Sequence, residues 1–139
     1  MAQPFEILEH PADVGFRARG ATLEKLFENS ALALFSLACD PASVNESETR
    51  EIAAEGSDSE LLLYSWLAEL LAVSEVESLV FRRAEVTALS ASRVAGRAFG
   101  ERFDRARHAM HTHIKAVTLH QLFVESTADG WRAQVFLDL

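Results

Sequence analysis

The spacing of apolar residues predicts a first amphipathic helix between Thr22 and Cys39. Apolar side chains recur about every three or four positions there and form one stripe along a helix. Thr22 has a hydroxyl that suits the position before a helix, and Asp40-Pro41 predicts the end of the helix. The stripe consists of Leu23, Leu26, Phe27, Ala31, Leu34 and Phe35.

A second helix is predicted from Leu61 to about Glu75. Ser57 and Glu60 have the spacing of a capping box, in which both side chains bind the first free amides of a helix. Apolar residues lie nearly all round this segment, so we expect it to be the more deeply buried helix, packed against a sheet.

Alternating apolar and polar residues predict strands in the rest of the chain. Asp129-Gly130 suits a tight hairpin turn between the last two strands. The element order β-β-α-β followed by α-β-β-β-β predicts one α+β domain over residues 1–139, with a mixed, largely antiparallel sheet and two helices packed on one side. The strands are expected at Phe5 to Leu8, Val14 to Arg19, Thr49 to Ala54, Leu79 to Leu89, Val94 to Phe103, Ile114 to Val124 and Trp131 to Leu137.

Composition places the chain among reduced, intracellular proteins. It has 139 residues, and its single cysteine, Cys39, lies in an apolar run where a buried thiol is expected. No targeting segment precedes the first strand, and the longest apolar run, 61–73, is interrupted by Glu69 and too short to cross a bilayer. We therefore expect a cytoplasmic protein that makes no membrane contact.

The net charge of −8 is placed entirely in the N-terminal part of the chain. Residues 1–60 hold 12 acids and 4 bases, whereas residues 61–139 hold 9 of each. This excludes a broad basic surface that grips nucleic acid, because such binding depends on clustered Lys and Arg. A basic subset is open to two interpretations, an ordinary solvent face or a local contact with a phosphate or acidic patch. Its members are Arg93, Arg97, Arg102, Arg105, Arg107 and Lys115.

Titratable residues gather between His108 and His120 and again at Asp138. Ammonium, imidazole and carboxylate groups around the ends of strands indicate a site, because a core strand has no need of them. His108, His111 and His113 also suggest zinc, but only the last two alternate along a strand, and no cysteine accompanies them. A solvated loop is the favoured interpretation of these histidines.

Several separated motifs together resemble the archease family, and they cover almost the whole chain in order and spacing. The sequence departs from the family pattern at Pro11, where Thr is common, and at Leu119, where Tyr is common, and His111 and His113 lie outside the pattern. The motifs are His10-x-Ala12-Asp13-x-Gly15, a Thr-Leu-Glu helix opening, Glu60-Leu-Leu-Leu-Tyr-x-Trp66-Leu-x-Glu-Leu-Leu71, His108, Lys115-Ala-Val-Thr-x-His120 and Val-x-x-Asp138.

The resemblance implies an accessory protein and not an enzyme. Archeases stimulate guanylylation and multiple turnover of RtcB-type RNA ligases, which join RNA ends in tRNA splicing and RNA repair. RNA would be contacted only indirectly, through the ligase, which agrees with the acidic charge. The alternative is a metal-dependent phosphoesterase or nucleotide hydrolase that uses Asp13, Asp138 and a bound water, with Lys115 stabilising phosphate charge. The docking face, the RNA substrate and the oligomeric state stay open.

The resemblance also implies a divalent metal ion, either Ca²⁺ or Mg²⁺/Mn²⁺, bound by Asp13 and Asp138. Oxygen ligands suit these hard ions, and Leu139 would add its terminal carboxylate. The imidazoles of His10, His108 and His120 would lie next to the metal-binding carboxylates and orient them through hydrogen bonds. The residues alone leave a plainer interpretation open, with Asp13 in a turn, Asp138 at a frayed end and His10 in a structural role.

Lys115 is the residue that the resemblance assigns to activation. Its ammonium would contact a triphosphate or a carboxylate of the partner. Two other interpretations stay open from the residues themselves. Lys115 pairs with Asp13 or Asp138 without metal, or it is an edge-strand lysine that discourages aggregation.

Overall fold

The computed structural model describes residues 3–9 and 13–139. Within them the chain forms eight strands, two α-helices and a short 3-10 helix at Pro41–Ser43. His10 lies outside the described residues, and so does the expectation attached to it. The elements are β1 (Phe5–Glu9), β2 (Asp13–Gly20), α1 (Leu23–Ala38), β3 (Glu48–Glu55), α2 (Ser59–Glu77), β4 (Leu79–Leu89), β5 (Arg93–Arg102), β6 (Ala116–Val117), β7 (Phe123–Thr127) and β8 (Gly130–Asp138).

The strands form two antiparallel sheets. One has the order β1-β2-β8-β6, with β7 also paired to β8, and the other has the order β3-β5-β4. Every strand pair among the described residues is antiparallel. The predicted α+β class is confirmed, but the strands divide between two sheets and do not form one. Alternation along a strand shows which face is buried, whereas the choice of neighbouring strand depends on contacts far away in sequence.

The two helices contact both sheets and form the core with them. α1 packs on β2 and β4, and α2 packs on β3, β4 and β5. Trp66 of α2 is completely buried and donates its indole N–H to the carbonyl oxygen of Phe27 at 3.1 Å. The prediction that α2 is the more deeply buried helix is wrong: five of its 19 residues are buried, against seven of the 16 in α1, and Val76 and Glu69 of α2 face solvent. No described helix is long and apolar enough to cross a membrane.

The start of α2 differs from the predicted capping box. Asp58 is the capping residue and accepts a hydrogen bond from the amide of Leu61 at 2.8 Å. Glu60 reaches across the molecule and accepts from the amide of Val124 at 3.0 Å. The predicted cap of α1 is confirmed, since the Thr22 hydroxyl accepts from the amide of Lys25. A tertiary hydrogen bond therefore replaced the local one for Glu60.

The predicted strand from Ile114 to Val124 is two strands, β6 and β7, which pair with successive parts of β8. Between them the chain turns at Gln121, whose φ is 50°. The Thr118 amide and hydroxyl both donate to the carbonyl oxygen of Phe136, at 3.0 and 2.9 Å, and end the β6 pairing. Lys115 consequently precedes a short strand instead of opening a long one.

Candidate functional site

Asp13 and Asp138 lie directly opposite each other at one end of the five-stranded sheet. β2 and β8 are neighbouring antiparallel strands, and these two aspartates are partners in their register. Opposite residues share a face of the sheet, with β-carbons typically about 4.5–5.5 Å apart. Strands from the two ends of the sequence therefore lie side by side.

The segment that carries Lys115 lies on the other side of Asp138. The Lys115 amide donates to the carbonyl oxygen of Asp138 at 2.9 Å, and Ala116 is the register partner of Asp138. The Lys115 side chain is exposed, and its ammonium forms no ion pair within residues 3–9 and 13–139. The two aspartates and the Lys115 backbone therefore lie at one sheet end, and the exposed Lys115 ammonium is available to a partner.

Phe136 continues the same face of the sheet next to the aspartates. It lies opposite Gly15, and a β-carbon added at Gly15 would be 2.6 Å from Cδ1 of the Phe136 ring. The imidazole of His120 is tilted against that ring, with 5.8 Å between the ring centroids. His120 therefore contacts Phe136, which lies two residues before Asp138 on the same face of β8. The Asp-x-Gly spacing has a physical basis, because both residues face the same side and only glycine leaves room for the ring.

The donor atoms of this site suit a hard divalent cation. Carboxylate oxygens are the ligands of Ca²⁺ and Mg²⁺, and like charges placed opposite each other on a sheet repel until a cation lies between them. Across the described part of the chain, no third His, Cys, Asp or Glu joins Asp13 and Asp138 in a potential metal-binding group. Water and, in a chain ending at Leu139, the terminal carboxylate would be suitable further ligands.

His108 lies in a different cluster from the aspartates. Its Nδ1 accepts a hydrogen bond from the amide of Asp104 at 2.9 Å, so that nitrogen carries no proton. The proton is on Nε2, which donates to Oε2 of Glu101 at 3.0 Å. Both ring nitrogens of this buried histidine are engaged, and neither contacts Asp13 or Asp138.

Glu101 is the centre of that cluster and was not identified from the sequence. It is 8% exposed, and besides His108 it binds the Arg107 guanidinium at 2.7 Å and the amide of Asn45 at 2.7 Å. The Arg107 guanidinium, with help from these other donors, lowers the pKa of Glu101 to about 2. The cluster joins the end of β5 to the loops before β3 and after β5. An acidic residue beside Gly100 at a strand end was the only sequence signal, and it resembles ordinary surface charge.

Most of the remaining candidates are exposed to solvent, and Cys39 is the buried exception. Arg93 pairs with Glu55 at 3.4 Å and Arg97 with Glu51 at 3.2 Å, across the β3–β5 ladder. These pairs favour the solvent-face interpretation of the basic subset. The side chains of His111 and His113 are exposed. Cys39 is buried and free, as expected.

The fold and the site together define a class of protein: a small α+β domain of two antiparallel sheets around two helices, with paired carboxylates at one sheet end. A family model described as the Archease protein family matches residues 5–139. The chain belongs to the archease family.

Individual relatives agree with this assignment over nearly their full lengths. The chain is 41% identical over 139 residues to the protein named Protein archease of Methanosarcina barkeri, covering 97% of this chain and 95% of that one. It is 39% identical to the protein of the same name from Pyrococcus abyssi, covering 97% and 98%. The solution structure of Methanobacterium thermoautotrophicum protein 1598 superimposes with a TM-score of 0.83 at 33% identity, covering 98% and 99%.

Proposed function

We propose that this protein is an accessory factor that stimulates guanylylation and multiple turnover of an RtcB-type RNA ligase in tRNA splicing or RNA repair. Family membership supports the proposal, and the observation that carries it is the meeting of Asp13, Asp138 and the Lys115 segment at one sheet end. The net charge of −8 agrees with contact to RNA only through the ligase. The reduced, buried Cys39 fits action in the cytoplasm.

Asp13 and Asp138 would hold a divalent cation, Ca²⁺ or Mg²⁺/Mn²⁺, with Leu139 adding its terminal carboxylate. The cation would neutralise the repulsion between the two aspartates and keep the ends of β2 and β8 together. His120, beside Phe136, would be the nearby imidazole of this site. The role of the sheet is to hold these groups in a fixed arrangement.

Lys115 would provide the contact with the ligase or its nucleotide. Its backbone is fixed by the hydrogen bond to Asp138, whereas its ammonium is exposed and has no counter-ion within the described segments. An ammonium held in this way suits a triphosphate or a carboxylate of the partner. Loss of this charge should therefore affect activation and not folding.

The test is a guanylylation assay of the cognate ligase with labelled GTP, with and without this protein. We expect the protein to raise both the labelled fraction of the ligase and the number of ligations per ligase molecule. Asp13→Asn and Lys115→Met should remove most of the stimulation while the melting temperature changes by only a few degrees. Glu69→Gln, on the exposed side of α2, is the matched control and should stimulate as the unmodified protein does.

Two outcomes would overturn the proposal. One is full stimulation by Asp13→Asn and Lys115→Met, because the sheet end would then have no part in activation. The other is metal-dependent hydrolysis of a nucleotide or phosphoester by this protein alone, abolished in Asp13→Asn. That result would favour the phosphoesterase alternative.

A further inference from the structure

A cleft of about 500 Å³ opens at the far end of the β2–β8 pair from the two aspartates. The register runs from Asp13 and Asp138 at one end to Gly20 and Trp131 at the other. Six residues of extended strand separate the two ends by about 20 Å. The cleft is therefore a separate site, and its volume is in the range of pockets that bind small molecules.

Cationic side chains dominate the walls of this cleft. Arg19, Lys25 and Arg132 line it, whereas Asp129 is the acidic residue among the described lining residues. Arg19 and Arg132 are register partners, so two positive charges share one face at directly opposed positions. Such a pair is unfavourable unless an anion compensates it.

The charge of Arg19 is the one left uncompensated. Arg132 forms an ion pair with Glu125, and Lys25 lies 3.5 Å from a carboxylate oxygen of Glu28. The Arg19 guanidinium has no ion pair or hydrogen bond within residues 3–9 and 13–139. Its backbone is nevertheless fixed, because the side-chain amide of Asn29 donates from Nδ2 to the Arg19 carbonyl oxygen at 2.6 Å. A guanidinium on a fixed backbone, with its fork of donors free, suits a phosphate.

Trp131 adds an aromatic wall to the same cleft. One part of Trp131 packs against the hydrophobic core and the rest lines the cleft, and its indole N–H has no hydrogen-bond partner in the described segments. Aromatic side chains next to cations are the usual means of holding a nucleobase by stacking while the phosphate is bound nearby. The cleft thus combines the two kinds of contact that a nucleotide offers.

We propose that this cleft binds a phosphate-bearing nucleotide, with the phosphate at Arg19 and Lys25 and the base against Trp131. The proposal goes beyond the ligase-activating role and does not depend on it, since the two sites lie at opposite ends of the sheet. The nucleotide would be a free one, since RNA is proposed to be contacted only through the ligase.

Fluorescence titration of the intact protein provides the first test. The chain has two tryptophans, and Trp66 is completely buried, so quenching by an added ligand reports on Trp131. We expect saturable quenching by GMP or AMP. Guanosine and inorganic phosphate each lack one of the two contacts. Each should therefore have an affinity at least about tenfold lower than that of GMP. The proposal would be overturned if neither GMP nor AMP gave saturable quenching, or if inorganic phosphate bound with the same affinity as GMP.

Calorimetry on variants then separates the cleft from nonspecific charge effects. Arg19→Gln should weaken GMP binding about tenfold, and Trp131→Leu should weaken GMP more than phosphate. Arg93→Gln removes another exposed arginine, on the other sheet, and should leave the affinity unchanged. An equal loss in Arg19→Gln and Arg93→Gln would contradict a built site. A 5′-phosphorylated RNA trinucleotide should bind no tighter than GMP, and tighter binding would overturn the proposal of a free nucleotide.

Discussion

The ring of Phe136 lies directly over Gly15, so that two strands from opposite ends of the sequence fit together only because one of them lacks a side chain at this point. The contact is on the same face as Asp13 and Asp138, two residues away from them on each strand. Glycine here is a packing requirement of the candidate metal site.

Substitution Gly15→Ala should destabilise the protein by about 1–3 kcal/mol, because the added methyl group overlaps the Phe136 ring and the Val135 carbonyl oxygen. Urea unfolding gives the free energy of unfolding. In a Phe136→Leu background the loss should be smaller, though not absent, since the contact with the backbone oxygen remains. An identical loss in both backgrounds would show that the ring is not the obstacle.

Removing one carboxylate of the aspartate pair should have opposite effects with and without metal. Without cation, Asp13→Asn should raise the free energy of unfolding by about 0.2–1 kcal/mol, because two like charges no longer face each other. With excess Ca²⁺ the variant should be the less stable one, since it binds the ion more weakly. Melting curves in EDTA and in Ca²⁺ measure both effects. Glu69→Gln should melt like the unmodified protein in both buffers, and a Ca²⁺ response retained by Asp13→Asn would argue against the site.

Extending the chain beyond Leu139 should weaken cation binding. A few added glycines convert the carboxylate at Leu139 into a neutral peptide carbonyl. The terminal carboxylate then lies at the end of the extension, away from the aspartates. Calorimetric titration with Ca²⁺ compares this protein with one that carries the same glycines before Met1. Equal affinities for the two extended proteins would remove Leu139 from the ligand set.

The Glu101 cluster should make the free energy of unfolding depend on pH in the acidic range. The unperturbed carboxyl has a pKa of 4.5, and in the folded protein Arg107 and its other partners lower the pKa to about 2. The unfolded state therefore binds the proton first, so the stabilisation is fully present above about pH 4.5 and is lost as the pH falls towards 2.

Substitution Glu101→Gln should lower stability at neutral pH and flatten the pH dependence between these two limits. Urea unfolding at a series of pH values measures both quantities. Glu51→Gln, which removes an exposed partner of Arg97, serves as the comparison and should change the slope much less. A slope unchanged in Glu101→Gln would contradict the lowered pKa.

Local pattern was sufficient for most of the elements. The stripe of α1 and its Thr22 cap, the α2 segment, and the strands β4, β5 and β8 follow from short-range spacing and turn residues, whereas the break between β6 and β7 does not. The hairpin between β7 and β8 is also predicted locally, although its two turn residues are Ala128 and Asp129, and Gly130 already pairs with Thr127 as the first residue of β8. The resemblance to a family, and not the spacing, pointed to Asp13 and Asp138 as a pair.

The tertiary structure decided which strands are neighbours and what the polar side chains bind. Asp13 and Asp138 are separated by almost the whole chain, and only the pairing of β2 with β8 places them opposite each other. The diversion of Glu60 to Val124, the cluster around Glu101 and the uncompensated Arg19 beside Arg132 arise in the same way. Helix and turn preferences act over a few residues and can be read locally. Strand partners and buried ion pairs join distant residues, so they exist only once the chain has folded.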